Sequence, residues 1–280
     1  MYWKTSKRTF SCENALVMGI LNVTPDSFSD GGSFSSLDAA VARAAEMFLD
    51  GADIIDVGGE STRPGSVRVS EAEEIDRVAP VIEAIVKAVD VPVSIDTSKA
   101  AVAKAALGAG AEIINDISGL RWEPEIGNVA AESGAGLVLM HSRGDFETMH
   151  SQEPVGDIFR DVEQDLRRAE DAALTLGVRP EQISLDIGIG FGKTPVQNLE
   201  LIANLDRLVG EFAAFPILVG ASRKSFIGKI LGEIPANERL SGSIACAVIA
   251  VLNGAKILRV HDVRETVQAL KVVEAAREER

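Results

Sequence analysis

Basic residues are scarce in this 280-residue chain: 28 lysines and arginines stand against 42 aspartates and glutamates, for a formal net charge of -14 and an isoelectric point near 4.7. Nucleic-acid backbones and acidic membrane surfaces attract a basic footprint, so the composition argues against both as partners. Long hydrophobic runs are missing too. The longest, Ile244 to Leu252, falls far short of the roughly 20 residues that span a bilayer, and the N-terminus, with Lys4, Lys7 and Arg8, has no apolar stretch of secretion-signal length. Two cysteines, Cys12 and Cys246, cannot build a disulfide framework. A cytoplasmic protein is expected. The three histidines, His141, His150 and His261, lack the close spacing of zinc ligands.

What is present is a series of short apolar runs. Eight can be marked: 17–23, 53–57, 92–96, 112–116, 136–141, 182–186, 216–221 and 256–260. Rich in Val, Ile and Leu and too short for most helices, they read as parallel strands buried on both faces. Helical patterns lie between them. Ser36 can cap a helix that stops before Gly51, Ser70 and Glu73 form a capping box, and Thr194, Pro195 and Gln197 form another with proline at the first helical position. Gly177 and Gly254 fall where C-terminal glycines belong. Eight alternating units fit a barrel or a doubly wound sheet, and the count favours a single (β/α)8 barrel over residues 1–280, its bottom covered by residues 1–14.

In such a barrel all strands aim their C-terminal ends at one face, where residues distant in sequence converge. Those ends carry Asn22, Asp56, Asp96, Asn115 with Asp116, His141, Asp186, then Ser222, Arg223 and Lys224, and finally Arg259 with His261. Any one of them could be a helix cap or a solvated charge. A ring that mixes carboxylates, carboxamides and cations at one topological level is not what caps alone would produce. Arg63, Lys224, Arg259 and His261 suggest an anion such as phosphate. Asn22 offers an oxygen of the kind Mg²⁺ accepts when phosphates and water complete its shell. Asp96, Asn115 and Asp186 can match the N–H and C=O edges of a flat, nitrogen-rich ring.

Several patterns are set aside. Gly188, Gly190, Gly192, Lys193 and Thr194 imitate a P-loop, but that motif needs glycine at the position of Ile187. Ser222 has no nucleophile-elbow sequence around it. Lys224 could form a Schiff base, yet the adjacent Arg223 favours a hydrogen-bonding cation. Trp122, Phe146 and His150 read as loop or packing residues.

Taken in order, NVTPDSFSDGG from Asn22, GGESTRPG from Gly58, SIDTSK from Ser94, IINDI from Ile113, LVLMH ending at His141, GFGKT from Gly190, SRKS from Ser222, SGSIACAVIA from Ser241 and RVHDV from Arg259 closely resemble the bacterial dihydropteroate synthase family over nearly the whole length. The resemblance implies an eight-stranded barrel, usually a homodimer, and a transferase that joins 4-aminobenzoate to 6-hydroxymethyl-7,8-dihydropterin pyrophosphate in folate biosynthesis. Carried onto matching positions, it puts the pterin against Asp96, Asn115, Asp186 and Lys224. Arg259 would cover the ring and, with His261, Thr62 and Arg63, meet the pyrophosphate, while Asn22 would hold Mg²⁺. The aminobenzoate would sit near Phe28, Pro64, Phe191 and Ser222, under mobile loops 24–35 and 58–69. The family usually has proline after the pterin-binding aspartate, where this chain has Ile187, a change expected to have a modest effect on the strand end.

The resemblance further implies that the C–O bond to pyrophosphate breaks largely before the amine attacks, with metal and cations stabilising the leaving group and Asp96 foremost stabilising the pterin cation. Asp96, Lys224 and Arg259 are the expected catalytic residues. Two alternatives stay open. Related barrels transfer a methyl group from methyltetrahydrofolate to a corrinoid, without needing ESTRPG and SRK aimed at pyrophosphate. A silent paralogue would bind pterin without condensation.

Overall fold

The computed structural model describes residues 1–23, 33–63 and 65–279. A short antiparallel hairpin, β1 (Tyr2–Lys4) and β2 (Thr9–Ser11), precedes the first long strand, β3 (Leu16–Asn22). Then follow α1 (Ser33–Leu49), β4 (Ile54–Gly58), α2 (Glu71–Ala88), β5 (Val93–Asp96), α3 (Ala100–Gly108), β6 (Ile113–Asp116), α4 (Glu125–Ser133), β7 (Gly136–Met140) and α5 (Ile158–Thr175). The last part comprises β8 (Ile183–Asp186), α6 (Pro195–Ala203), α7 (Leu205–Glu211), β9 (Ile217–Val219), α8 (Ser225–Ile230), α9 (Leu240–Leu252), β10 (Ile257–Val260) and α10 (Val263–Glu278). Strands β3 to β10 pair in parallel with their neighbours, and β10 closes on β3. The expected (β/α)8 barrel is what forms.

Strand alternation sorts the side chains into two sets. Val17, Ile55, Val57, Val93, Ile95, Leu137 and Leu139 face the helices and join the outer core. Met18, Ile54, Ile113, Val138, Leu218 and Ile257 face inward and pack on one another and on Trp3. Two residues further along five of the eight strands the same inward parity brings polar groups: Asp56 after Ile54, Asn115 after Ile113, Arg259 after Ile257, and Asp96 and Asp186 after Ser94 and Ser184. The interior is therefore apolar below and charged above. The N-terminal hairpin closes the apolar end. Trp3 is fully buried there, its Nε1 donates to the Gln182 carbonyl at 2.7 Å, and Thr5 Oγ1 donates to Glu112 at 2.9 Å.

The elements depart from the sequence reading in details that have local causes. Helix α1 begins at Ser33, ahead of Ser36. Strand β8 starts only at Ile183 because Pro180–Gln182 forms a 3₁₀ turn with proline at its first position. Strand β9 stops at Val219, since Ala221 already accepts from Lys224 N in a tight turn where Arg223 takes φ 58°. Ser70 caps α2 by accepting from Glu73 N, and the Thr194–Gln197 box closes in both directions. Among the described residues no helix is long and apolar enough to cross a membrane.

Candidate active site

The row of paired residues Asn22, Gly58, Asp96 and Asn115 runs across the C-terminal ends of four neighbouring strands. Arg259 reaches into this row from β10. Its Nε donates to Asp56 Oδ2 at 2.6 Å and its Nη2 to Asp96 Oδ2 at 2.5 Å, while Asn115 Nδ2 donates to the same Asp56 oxygen at 3.1 Å. Burial works against the guanidinium charge, but Asp56 and Asp96 overcome it and hold the Arg259 pKa above its ordinary value. Burial pushes the Asp96 carboxyl up to about 7 against the pull of Arg259, with Asp56 adding repulsion. Asp186 is raised too, first by burial, although it accepts from Gly188 N at 2.7 Å and feels Lys224 and Arg259. Two acceptor oxygens of this layer, Asn115 Oδ1 and Asp56 Oδ1, are buried with no partner among the described residues. A buried acceptor left alone is costly, so both are suited to take a donor from a ligand.

Lys224 completes the ring from the turn after β9. Burial, then Arg259, lowers its pKa to about 8, and its Nζ sits 4.1 Å from the centroid of Phe191. Close approach explains two glycines of the imitation P-loop. A Cβ on Gly190 (φ 86°) would come within 2.9 Å of Lys224 Cδ, and one on Gly188 (φ 64°) within 1.9 Å of the His141 carbonyl oxygen. The lysine of that motif, Lys193, points inward instead of toward a phosphate. Its Nζ donates to His141 Nδ1 at 2.7 Å, to Gly188 O at 2.7 Å and to Phe191 O at 3.2 Å, and burial brings its pKa down to about 7. His141, lowered to about 4 by burial and then by Lys193, is neutral and donates from Nε2 to Asp161 at 3.2 Å. Ile187 is fully buried and Asp186 keeps its bond to Gly188.

His261 differs from the cation the sequence suggests. Burial, then Arg259 and Arg223, lowers it to about 3, so the ring is neutral at pH 7. Ser222 Oγ accepts from the His261 backbone N–H at 3.2 Å and lies 3.1 Å from Nδ1. The serine proton can then go to Nδ1, which leaves Nε2–H as the ring's donor. Arg223, next to Ser222, is engaged elsewhere, paired with Asp262 through both ends of its guanidinium.

The remaining sequence candidates lie at the rim. Thr62 is half-buried and Arg63 exposed, on the loop after β4. The Thr62 carbonyl lies 2.7 Å from His150 Nε2, and the His150 ring stacks on Phe191 at 5.6 Å. His150 is thus more than packing: it joins this loop to the wall that carries Lys224. Trp122 and Phe146 also serve the loop, because the Arg68 guanidinium lies over both rings, 5.8 and 5.6 Å from their centroids. Phe28, Pro64 and most of loop 24–35 lie outside the described residues. Asn22 ends β3 with its Oδ1 3.5 Å from where a Gly58 Cβ would be. Among the described residues no group of three or more His, Cys, Asp or Glu could hold a metal. One carboxamide oxygen fits a hard cation whose other ligands are diphosphate and water.

A closed barrel whose upper mouth combines paired carboxylates, a carboxamide and buried cations defines an enzyme site for a flat, nitrogen-rich ring bearing an anion. Comparison with known proteins agrees. The model of the family described as "Pterin binding enzyme" matches residues 18–261. The dihydropteroate synthase of Synechocystis is 50% identical over 269 residues, covering 96% of this chain and 90% of that protein. The Xanthomonas albilineans dihydropteroate synthase structure with 4-aminobenzoic acid superimposes with a TM-score of 0.92 at 41% identity, covering 99% of this chain and 98% of the other. The Clostridium difficile enzyme in the presence of pteroic acid gives 0.88 at 42% identity, with 94% and 97% covered. The chain belongs to the pterin-binding enzymes and, within them, to the dihydropteroate synthase family.

The neutral His261 carries a pH dependence. Its folded pKa, about 3, lies below the ordinary 6.5. Below 6.5 the unfolded chain takes up a proton that the folded chain refuses, so this contribution to stability is lost as pH falls from about 6.5 toward 3. Urea denaturation at pH 7.5 and pH 5 is predicted to cost the wild type about 2 kcal/mol more than His261→Gln. Parallel losses in the two proteins would remove His261 as the cause.

Proposed function

We propose that this protein joins 4-aminobenzoate to 6-hydroxymethyl-7,8-dihydropterin pyrophosphate, releasing pyrophosphate, and that the polar layer around Arg259 performs the step. The observation that carries this reading is the pair of buried acceptors, Asn115 Oδ1 and Asp56 Oδ1, with no partner among the described residues, beside the carboxylates of Asp96 and Asp186. Acceptors in a fixed plane suit the N–H edge of a pterin. Relatives named for this reaction, 50% identical over nearly the whole chain, support the same reading over methyl transfer to a corrinoid.

In the proposed step the bond between the pterin methylene carbon and the diphosphate oxygen breaks, and its electron pair leaves with pyrophosphate. The aminobenzoate nitrogen then bonds to that carbon and gives up its proton to the released pyrophosphate or to water. Arg259 pulls the Asp96 carboxyl toward its charged form beside the ring, where the carboxylate stabilises cation character, and Asp186 and Asn115 hold the ring edge. Lys224, packed on Phe191, supplies a cation on the opposite wall. Thr62, Arg63 and the Nε2–H of neutral His261 contact the diphosphate, and Phe191 and Ser222 flank the aminobenzoate. Asn22 would hold Mg²⁺, which offsets charge on the departing diphosphate.

A second copy of the chain is the proposed partner. Val196 and Leu199 on α6, Ile230 at the end of α8, the adjoining Leu231, and Ile249 and Leu252 on α9 are exposed apolar residues on helices that pack together, in a strongly acidic protein. Two free, buried cysteines suit the reducing cytoplasm as the site of the reaction.

Purified protein mixed with dihydropterin pyrophosphate, 4-aminobenzoate and Mg²⁺ is expected to form dihydropteroate. Arg259→Ala and Asp96→Asn should each lower turnover at least 100-fold while circular dichroism shows a folded barrel; near-wild-type rates in either would refute its role. Sedimentation should give twice the monomer mass, reduced to one by Leu199→Glu with Ile249→Glu. A wild type that sediments as a monomer at micromolar concentration would exclude the dimer.

A further inference from the structure

Behind the rim, outside the ring of site residues, lies a buried ion cluster that the reaction does not use directly. Lys99 is only 4% exposed, and its three ammonium hydrogens find three acceptors: Glu60 Oε1 at 2.8 Å, Val69 O at 2.9 Å and Glu74 Oε2 at 2.6 Å. Glu60 Oε1 also accepts from Val69 N at 2.7 Å. Residues 60 and 69 are therefore drawn to one charge, and the segment between them becomes a closed loop with a fixed stem. That loop carries Thr62 and Arg63. Lys99 itself stands three residues after Asp96, at the cap of α3. One short segment thus bears both the carboxylate beside the pterin ring and the clamp on the loop assigned to the diphosphate.

We propose that Lys99 is a positioning residue for the diphosphate half of the substrate, fixing loop 60–69 against the end of β5 so that Thr62 and Arg63 stand at a set distance from Asp96. The inference rests on the reading of Thr62 and Arg63 given above. A buried cation with two carboxylates could instead serve stability alone, since removing one partner of such a cluster leaves uncompensated charge. The two roles differ in which ligand they affect. A clamp on the loop governs the diphosphate and leaves the ring pocket of Asp96, Asn115, Asp186 and Lys224 intact. A general loss of structure weakens both.

The test measures, by titration calorimetry with Mg²⁺ present, the affinity of wild type, Lys99→Met and Glu60→Ala for inorganic pyrophosphate and, separately, for 6-hydroxymethylpterin, which has the ring but neither the diphosphate nor the aminobenzoate. Glu60→Ala opens the stem and leaves the Lys99–Glu74 pair in place, so it decides the matter if Lys99→Met does not fold. Pyrophosphate affinity is expected to fall at least tenfold in the variants and 6-hydroxymethylpterin affinity to stay within twofold, with KM for the pterin diphosphate rising at least tenfold. Unchanged pyrophosphate affinity, or equal loss of both ligands, overturns the proposal, as does a wild type that binds no pyrophosphate. A wild type that binds pyrophosphate but makes no dihydropteroate refutes the proposed reaction, while the ratio of the two affinities still decides the role of Lys99.

Discussion

Everything at the mouth of this barrel is arranged around one buried guanidinium. Arg259 lies between Asp56 and Asp96, and without it two carboxylates at the top of an otherwise apolar cylinder would face each other unneutralised. The pairing is a consequence of strand alternation. Inward positions one step lower on six strands are Ile, Met, Leu and Val, packed with Trp3, beside the buried hydroxyls of Ser94 and Ser184, and that layer sets the level at which charge can begin. The cluster sets the Asp96 pKa near 7 and leaves Asn115 with an acceptor that has no partner among the described residues, which is the condition for receiving a ring that brings its own donors.

Around that centre the loops are held by groups that do not themselves meet the substrate in the proposed step. Lys193 and His141 fasten the loop after β8 from beneath, and glycines at 188 and 190 let it pass close to β7 and to Lys224. His150 links the loop after β4 to Phe191, and Lys99 closes its stem. Ordering these segments before the substrate arrives reduces the entropy lost on binding and so favours reaction.

The barrel was legible in the chain because eight apolar runs, each with a polar residue at or beside its end, have few other solutions. Asp96, Asn115, Asp186, Lys224 and Arg259 could be picked out for the same reason: strand ends converge. Asp56 was visible at a strand end but not as the partner of Arg259, since which of several carboxylates an arginine chooses depends on register, and register is a property of the closed sheet. Lys193, His150 and Lys99 gave weaker signals. A lysine in a glycine-rich run, a histidine in a loop and a lysine at a helix start look solvated until the fold buries them. The parity rule that puts Asp56 in line with Ile54 could have found the first. Nothing local predicts that Lys99 meets Glu60 and Glu74. The charge of His261 was misread because its neighbours in sequence do not reveal that Arg259, Arg223 and burial all act against protonation.

The claim that Arg259 exists to balance two buried carboxylates is tested most directly by a stability cycle. Unfolding free energies would be measured by urea at pH 7.5 for Arg259→Met, for Asp56→Asn with Asp96→Asn, and for all three changes together. Arg259→Met alone should cost about 3 to 5 kcal/mol, as breaking a buried pair does, and the triple variant should recover most of it although it remains inactive. Losses that simply add, with no recovery in the triple variant, would contradict the account.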